Sequence, residues 1–479
     1  MVTAHQALAG LWDAAGLDQS ALPNVELIGA EPALPSSFAV GTTAQASTAA
    51  SGLAAAEIHR ARGGGDQQVR VDMRHAAAEF RSERYALVDG KPVPFEPADI
   101  AGLYPTGDNG FVNLFTSFPH QRAGVLAILG CVGTRAAVTA RLRDWSAVAF
   151  ETRAAQIGTT VAAARTYAEW DAEPQGQAAA SLPPISLERI GDAPPTPLPP
   201  ATERPLAGIR VLDLTRIIAG PVAGRVLAAH GAEVLNITGG HLPSLTSIVI
   251  DTGRGKRSAH LDLRQPSDNA RLHGLIAGAD VFVDGYRPKS IAGRGFGPEA
   301  LAAARPGLIY LSLSAYGHRG PWAERRGYDG LVQTANGMSS AAGAAAGERA
   351  PRSLPCFALD HTSGQLLALG AMAGLLRRAQ EGGSWLVRVS LAGTGQWIRG
   401  LGTVAGGLTA NDPDREQVRD LLEESASGFG RLTAVRHAAK LERTPAYWAL
   451  PSMPLGSHAA AWIGDCLTSA PMEQISGIV

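Results

Sequence analysis

Cysteine is nearly missing from this 479-residue chain: there are three, Cys131, Cys356 and Cys466, with no pair at metal-ligand or redox spacing. That argues against a disulfide framework and a thiolate zinc site. No stretch approaches the ~18 consecutive apolar residues of a membrane span, and the opening MVTAHQALAG has no basic region before an apolar core. The expectation is a cytoplasmic protein without membrane contact. An excess of one charge is also missing. Lysine plus arginine (42) balances aspartate plus glutamate (43), which gives no support for nucleic acid or an anionic membrane surface as partner. The 12 histidines show no H-E-x-x-H grouping, so no metal is expected. A local cluster of cations for a specific small anion is compatible with this balance.

The length suits two or more domains, and 45% hydrophobic content allows a sizeable core. The stretch 205–240, PLAGIRVLDLTRIIAGPVAGRVLAAHGAEVLNITGG, organises the rest. An apolar run rich in β-formers, a Gly220-Pro221 turn, an Ala/Leu/Val-spaced helix and a second apolar run predict a βαβ unit. Pro221 fits the first helical turn, and Gly220 is expected to let backbone approach a ligand above the strand end. The spacing is not the G-x-G-x-x-G dinucleotide fingerprint. Further strands are predicted at 279–284 (ADVFVD) and 307–314 (GLIYLSLS), with helices between. The fold expected is α/β, a Rossmann-like parallel sheet flanked by helices, with a smaller α+β domain. Loops at the strand ends then gather in one crevice. They carry Arg254, Lys256, Arg257, Arg287 and Lys289 beside Tyr286, a set suited to phosphates and a purine.

Residues 1–190 are Ala-rich and mostly helical in pattern, with an extended stretch near 67–72 and a turn at 107–110 leading into a strand. The Pro-rich segment 183–204 reads as a linker. Residues 38–73 can be laid over 357–391: each has a Phe-Ala start, a small-residue helix, a Gly-Gly turn and a V-R-V strand. With a one-residue gap, Gly41 faces Asp360.

The motifs VLDLTRIIAGP (211–221), RGKRS (254–258), DVFVDGYRP (280–288) and GYD (327–329) occur in the order and spacing of the class III CoA-transferases, which this chain resembles over about 206–391. That family includes formyl-CoA:oxalate and carnitine CoA-transferases and the α-methylacyl-CoA racemases. The resemblance implies transfer of coenzyme A from an acyl-CoA to a carboxylic acid, with coenzyme A as substrate rather than tightly bound cofactor. It assigns Asp360, in the D-x-x-x-G context 360–364, as the catalytic residue that forms an aspartyl-CoA thioester. An Asp there is also an ordinary N-cap. It further implies coenzyme A contacts from Ile218, Ala219, Gly253, Arg254, Gly255, Lys256, Gly285, Tyr286, Arg287, Ser314 and Gly317, with Lys256 the strongest phosphate candidate.

Departures from the family pattern include Gly285, Gly293 and Ser314 at otherwise polar positions. The racemase branch has a histidine where this chain has Tyr328, a poor base at neutral pH, so racemisation is the alternative reading, with His361 as a replacement base. A non-catalytic CoA-binding scaffold is the third. The division expected is a degenerate partial copy (1–182), the linker (183–204), a CoA-binding catalytic domain (205–391) and a helical or irregular extension (392–479). The resemblance implies a homodimer, or a single chain whose first copy supplies the partner's contacts.

Overall fold

The computed structural model describes residues 1–94, 99–287 and 289–464; Cys466 lies outside them. Its centre is a seven-stranded sheet. In spatial order the strands are Lys256–His260, Glu233–Thr238, Arg210–Leu214, Val281–Asp284, Ile309–Ser314, Ser384–Ser390 and Ser186–Gly191. The first six are parallel, and numbered along the chain they read 3-2-1-4-5-6, the doubly wound order. The seventh pairs antiparallel with Ser384–Ser390. It comes from the segment expected to be a linker, so part of that segment is a strand. Its short run SLERIG carries no proline; Pro183 and Pro184 precede it, and the other prolines follow it.

Alternation along the strands explains why the sheet is covered on both faces. Val211, Val234, Val281, Ile309 and Val387 enter one apolar cluster, and their neighbours Leu212, Leu235, Phe282, Tyr310 and Leu386 enter another. Over the first face the long helix Ala358–Glu381 packs against two others, Ala219–Ala229 and Val40–His59. Glycine permits the close approach. A Cβ at Gly364 would lie 2.6 Å from Val222 Cγ1 and 2.7 Å from the Ala219 carbonyl. A Cβ at Gly220 would sit 2.4 Å from the Thr215 side chain, so that glycine answers to packing within the turn rather than to a ligand.

Three smaller sheets complete the molecule. Val25–Ile28 and Val69–Asp72 pair in parallel, and Ala439–Leu441 adds antiparallel to the latter. Leu422–Ser427 and Gly430–Val435 join Leu87–Val88 and Lys91–Pro92. Gly102–Pro105, Phe111–Leu114 and Val161–Ala163 form the last. Residues 392–464 therefore contain three strands, two of which pair with strands of the first hundred residues. The proline segment is held by Arg62, whose guanidinium donates to the carbonyls of Pro199 (2.7 Å) and Pro200 (2.7 Å).

The two similar stretches share more than composition. The residues capping helices Val40–His59 and Ala358–Glu381, Ala39 and Phe357, have φ/ψ of −75°/62° and −77°/65°. Thr43 N–H donates to Ala39 O as His361 N–H does to Phe357 O. Further on, Asp72 and Ser390 each cap the helix after the V-R-V strand. Ala39, Thr42, Gly52, Val69 and Asp72 thus fall on Phe357, Asp360, Gly370, Val387 and Ser390 without a gap. A Cβ on Gly52 would meet Val69 (3.2 Å), and one on Gly370 would meet Val387 (2.4 Å). In this register Thr42, not Gly41, stands opposite Asp360.

Candidate active site

A cavity of about 580 Å³ opens at the carboxyl ends of the parallel strands. Its wall takes residues from the end of each: Leu214 and Arg216, Ile237 to Gly239, Leu261, Gly285, Ser314 and Leu391. In an open α/β sheet the crossovers run to opposite faces where the strand order reverses, here between Arg210–Leu214 and Val281–Asp284, which leaves a crevice. The turn after Arg210–Leu214 is strained. Ile217 has φ of 71°, a region that a β-branched side chain enters only when its surroundings hold it there.

Asp360 reaches this cavity from the third residue of helix Ala358–Glu381 and is 7% exposed. It does not cap the helix. Asp329, first residue of helix Asp329–Ala335, does so instead: its carboxylate accepts the N–H groups of Leu359 (2.8 Å) and Asp360 (3.0 Å) and the amide of Gln333. The N–H groups of Leu359 and Asp360 at the start of this helix are therefore already engaged by Asp329. Burial first, then the negative charges of Asp329 and Glu83, push the Asp360 carboxyl well above its ordinary range. Burial also raises Asp329 to about 6, against the hydrogen bonds it accepts. The other carboxylate in the wall, Asp262, is held by Arg264 at 2.7 to 3.1 Å. Among the described residues, the Asp360 carboxylate shows no such partner.

Of the residues expected to meet coenzyme A, Ile218, Ala219, Gly285, Tyr286, Arg287 and Ser314 line this cavity. Tyr286 is held by its N–H donating to Asp284 (2.8 Å), and burial raises its phenol to about 12. Gly253 and Lys256 line a smaller adjoining pocket of about 50 Å³, and Gly317 lines a third, which shares Ser314 with the first. Lys256 is committed inside the protein: its ammonium donates to Asp213 (2.8 Å) and to the Pro221 carbonyl (2.6 Å), both partners buried. Arg254 is likewise occupied. It binds Asp251 (2.8 Å) and the Val435 carbonyl (2.7 Å), with Trp448 stacked 4.0 Å away. Gly255, at φ of 77°, turns the backbone against Trp448.

Several wall residues carried no motif. Arg216 is the second residue after strand Arg210–Leu214, a position whose place at the reversal point was the available signal. Its guanidinium lies 5.3 Å from the Phe118 ring centre, and its Nη2 is buried without a hydrogen-bond partner. Arg325 and Arg326 precede Gly327, and His120, Gln121 and Phe118 come from the first 182 residues. Tyr328 stacks on Phe115 with centroids 3.7 Å apart. His361 does not line the cavity: its Nε2 is 3.6 Å from Glu83, and its ring stacks on Phe80. Among the described residues no cluster suits a metal, and no helix is long and apolar enough to cross a membrane.

Residues 206–429 match the model of CoA-transferase family III. The acetyl-coenzyme A transferase nodX of Hypoxylon pulicicidum is 37% identical over 43% of this chain and 35% of its own length. An acyl-CoA transferase of Gibberella moniliformis is 31% identical over 68% of this chain and 64% of its own length. Among solved structures, the hypothetical protein Rv3272 of Mycobacterium tuberculosis is 32% identical over 44% of this chain and 58% of that one, with a TM-score of 0.38. The chain thus spans between about a third and two thirds of the length of these relatives. Residues 206–429 of this protein belong to CoA-transferase family III.

Proposed function

We propose that this protein transfers coenzyme A from an acyl-CoA to a carboxylic acid through an aspartyl-CoA thioester on Asp360. One observation carries the reading: an unengaged carboxylate sits in the wall of a cavity at the carboxyl ends of the parallel strands. The elevated Asp360 pKa implies a more basic, and so more nucleophilic, oxygen once the proton is lost. That oxygen attacks the thioester carbonyl; the C–S bond breaks and a mixed anhydride and a thiolate form. The thiolate then takes the Asp360 acyl carbon, releasing the first acid and leaving aspartyl-CoA. An acceptor carboxylate repeats the exchange in reverse and frees Asp360. No proton is consumed over the cycle. The buried setting of Asp360 excludes water from the two reactive acyl intermediates.

Coenzyme A is a substrate in this reading. Its phosphates meet the exposed Arg287 and Arg294 rather than Lys256, and Ile218, Ala219, Gly285, Tyr286 and Ser314 contact the rest. Gly253 and Gly317 border adjoining pockets, while Arg254, Gly255 and Lys256 shape the wall from behind. Residues 1–182 read as a partial copy that has lost the nucleophile, supported by the gapless agreement of caps and glycine contacts. The same reading carries a homodimer in the cytoplasm, on the family resemblance.

Asp360→Ala tests the proposal. Coenzyme A exchange between acyl-CoA and free acid should vanish while coenzyme A binding, measured by calorimetry, persists. Undiminished exchange would refute the assignment.

A further inference from the structure

Resting on the transfer reading above, we infer that Glu83 is a positioning residue for the nucleophile, acting through His361, so that residues 1–182 contribute to the chemistry as well as to the cavity wall. Two buried polar groups that the transfer steps leave unused point to it. Successive side chains on a helix project about 100° apart, so Asp360 faces the cavity while His361, next to it, faces the short helix Ser82–Tyr85. There His361 Nε2 lies 3.6 Å from Glu83 Oε2, and Phe80 stacks on the imidazole with centroids 5.2 Å apart. His361 is 2% exposed and Glu83 6%. Neither His361 Nε2 nor Glu83 Oε1 has a hydrogen-bond partner. Withdrawing an acid and a base from water costs stability that an apolar pair of the same size would not lose. This cost is borne one residue from the group that reacts.

The ionisable groups packed around the pair are occupied elsewhere or stay neutral. Ser82 donates to Asp251 (2.6 Å), whose charge is met by Arg225 and, at 2.8 Å, by Arg254. That bond also anchors the short helix. Arg81 pairs with Asp412, Tyr85 donates to the Pro413 carbonyl (2.9 Å), and Arg84, 3.9 Å from Glu83, is half-exposed. Burial, then the Asp329 and Glu83 charges, push the Cys356 thiol up and keep it protonated. Asp329 is spent on the cap of the nucleophile's own helix. What remains is one carboxylate and one imidazole behind Asp360. The Glu83 charge opposes ionisation of Asp360; His361 fixes the place of that carboxylate and offsets it when it holds the proton. On passing from carboxylate to thioester, Asp360 gives up one buried negative charge. A pair that can gain or lose a proton adjusts to this change without admitting water.

The test is the acid limb of kcat/KM, which reports ionisation of the free enzyme. Glu83→Gln keeps the shape and removes the charge, so Asp360 ionises more readily and the limb should move to lower pH by about half a unit or more. Coenzyme A affinity, measured by calorimetry, should stay the same. His361→Phe keeps a ring on Phe80 but strands Glu83, and a buried carboxylate without a partner takes up a proton. The limb should therefore move in the same direction. The double variant reaches the same uncharged state, so its shift should match that of either single change rather than their sum. Glu83→Asp retains the charge and should hold the limb near its original pH. His361→Phe keeps the test valid if Glu83→Gln fails to fold. A limb unmoved in the folded variants, or shifts that add in the double variant, overturns the inference and reduces the pair to a packing contact. Asp360→Ala separates the two proposals: exchange that survives it refutes the transfer mechanism, whereas exchange that requires Asp360 but keeps its acid limb in Glu83→Gln refutes only the positioning role.

Discussion

The helix-strand units 40–72 and 358–390 have the same cap geometry and the same glycine contact, yet only the second borders a large cavity. In each, a carboxylate from elsewhere caps the helix. Glu31 accepts the Thr42 N–H (2.6 Å) in the first, and Asp329 accepts the Asp360 N–H (3.0 Å) in the second. The difference is the sheet beyond. Strand Val69–Asp72 has one parallel neighbour, whereas Ser384–Ser390 is the sixth of six parallel strands. A cleft needs several strand ends and crossovers that part to opposite faces. The first unit has neither, and its helix is buried along its full length, with Ser51 donating to Gln365 of the second. Two like pieces of backbone thus serve different ends: one supports, and the other presents a carboxylate to a cavity.

The sharpest way to break that comparison is to exchange the paired positions. Asp360→Asn should reduce coenzyme A transfer by about a thousandfold or more in a steady-state assay, while Thr42→Val should leave it within a factor of about two. Equal effects would show that the chemistry does not distinguish the units.

Next in size is Lys256→Ala, which strands the buried Asp213 carboxylate. Urea denaturation should show a loss of about 3–5 kcal/mol, with thermal unfolding following suit. A variant of normal stability but weak coenzyme A binding would instead return Lys256 to the phosphate site. Smaller again are Gly370→Ala and Gly52→Ala, each adding a methyl into the helix-strand contact of its own unit at about 1–3 kcal/mol. Gly370→Ala should cost the more, because its methyl would lie 2.4 Å from Val387.

The smallest effect is on the pH profile. Burial, then the Asp329 and Glu83 charges, hold the Asp360 pKa up, so the ionised nucleophile accumulates only as pH rises. Asp329→Asn removes one negative charge and keeps an oxygen for the two N–H groups. The acid limb of kcat/KM should therefore move to lower pH. Glu31→Gln, the matching change in the first unit, should leave the limb where it was.

Much of this was legible in the sequence because it is local. The βαβ unit, strands 281–284 and 309–314 and the Asp360 context each follow from neighbours a few residues apart. What went unread depends on distant partners. The motif containing Lys256 resembles a phosphate loop, but the side chain turns to Asp213, 43 positions earlier, two strands away in the sheet. The glycine of the D-x-x-x-G context, Gly364, gives room to helix Ala219–Ala229, a partner far away in sequence. Asp360 has the look of an N-cap until Asp329 is seen in that place. The strand Ser186–Gly191 sits beside prolines that dominate the local pattern, and strands 422–441 had no motif to announce them. His120 and Phe118 reach the cavity only through the packing of the first 182 residues, which no spacing within 205–391 could indicate.

The pairing of Val69–Asp72 with Ala439–Leu441 has a consequence for synthesis. During translation Val69–Asp72 emerges long before Ala439–Leu441, so the edge that the later strand covers stays open until residues 439–441 have also left the ribosome. An uncovered strand edge invites foreign pairing. The long interval between these partners makes nascent-chain protection a demand of this topology, and a premature stop before residue 439 would leave a product prone to clumping.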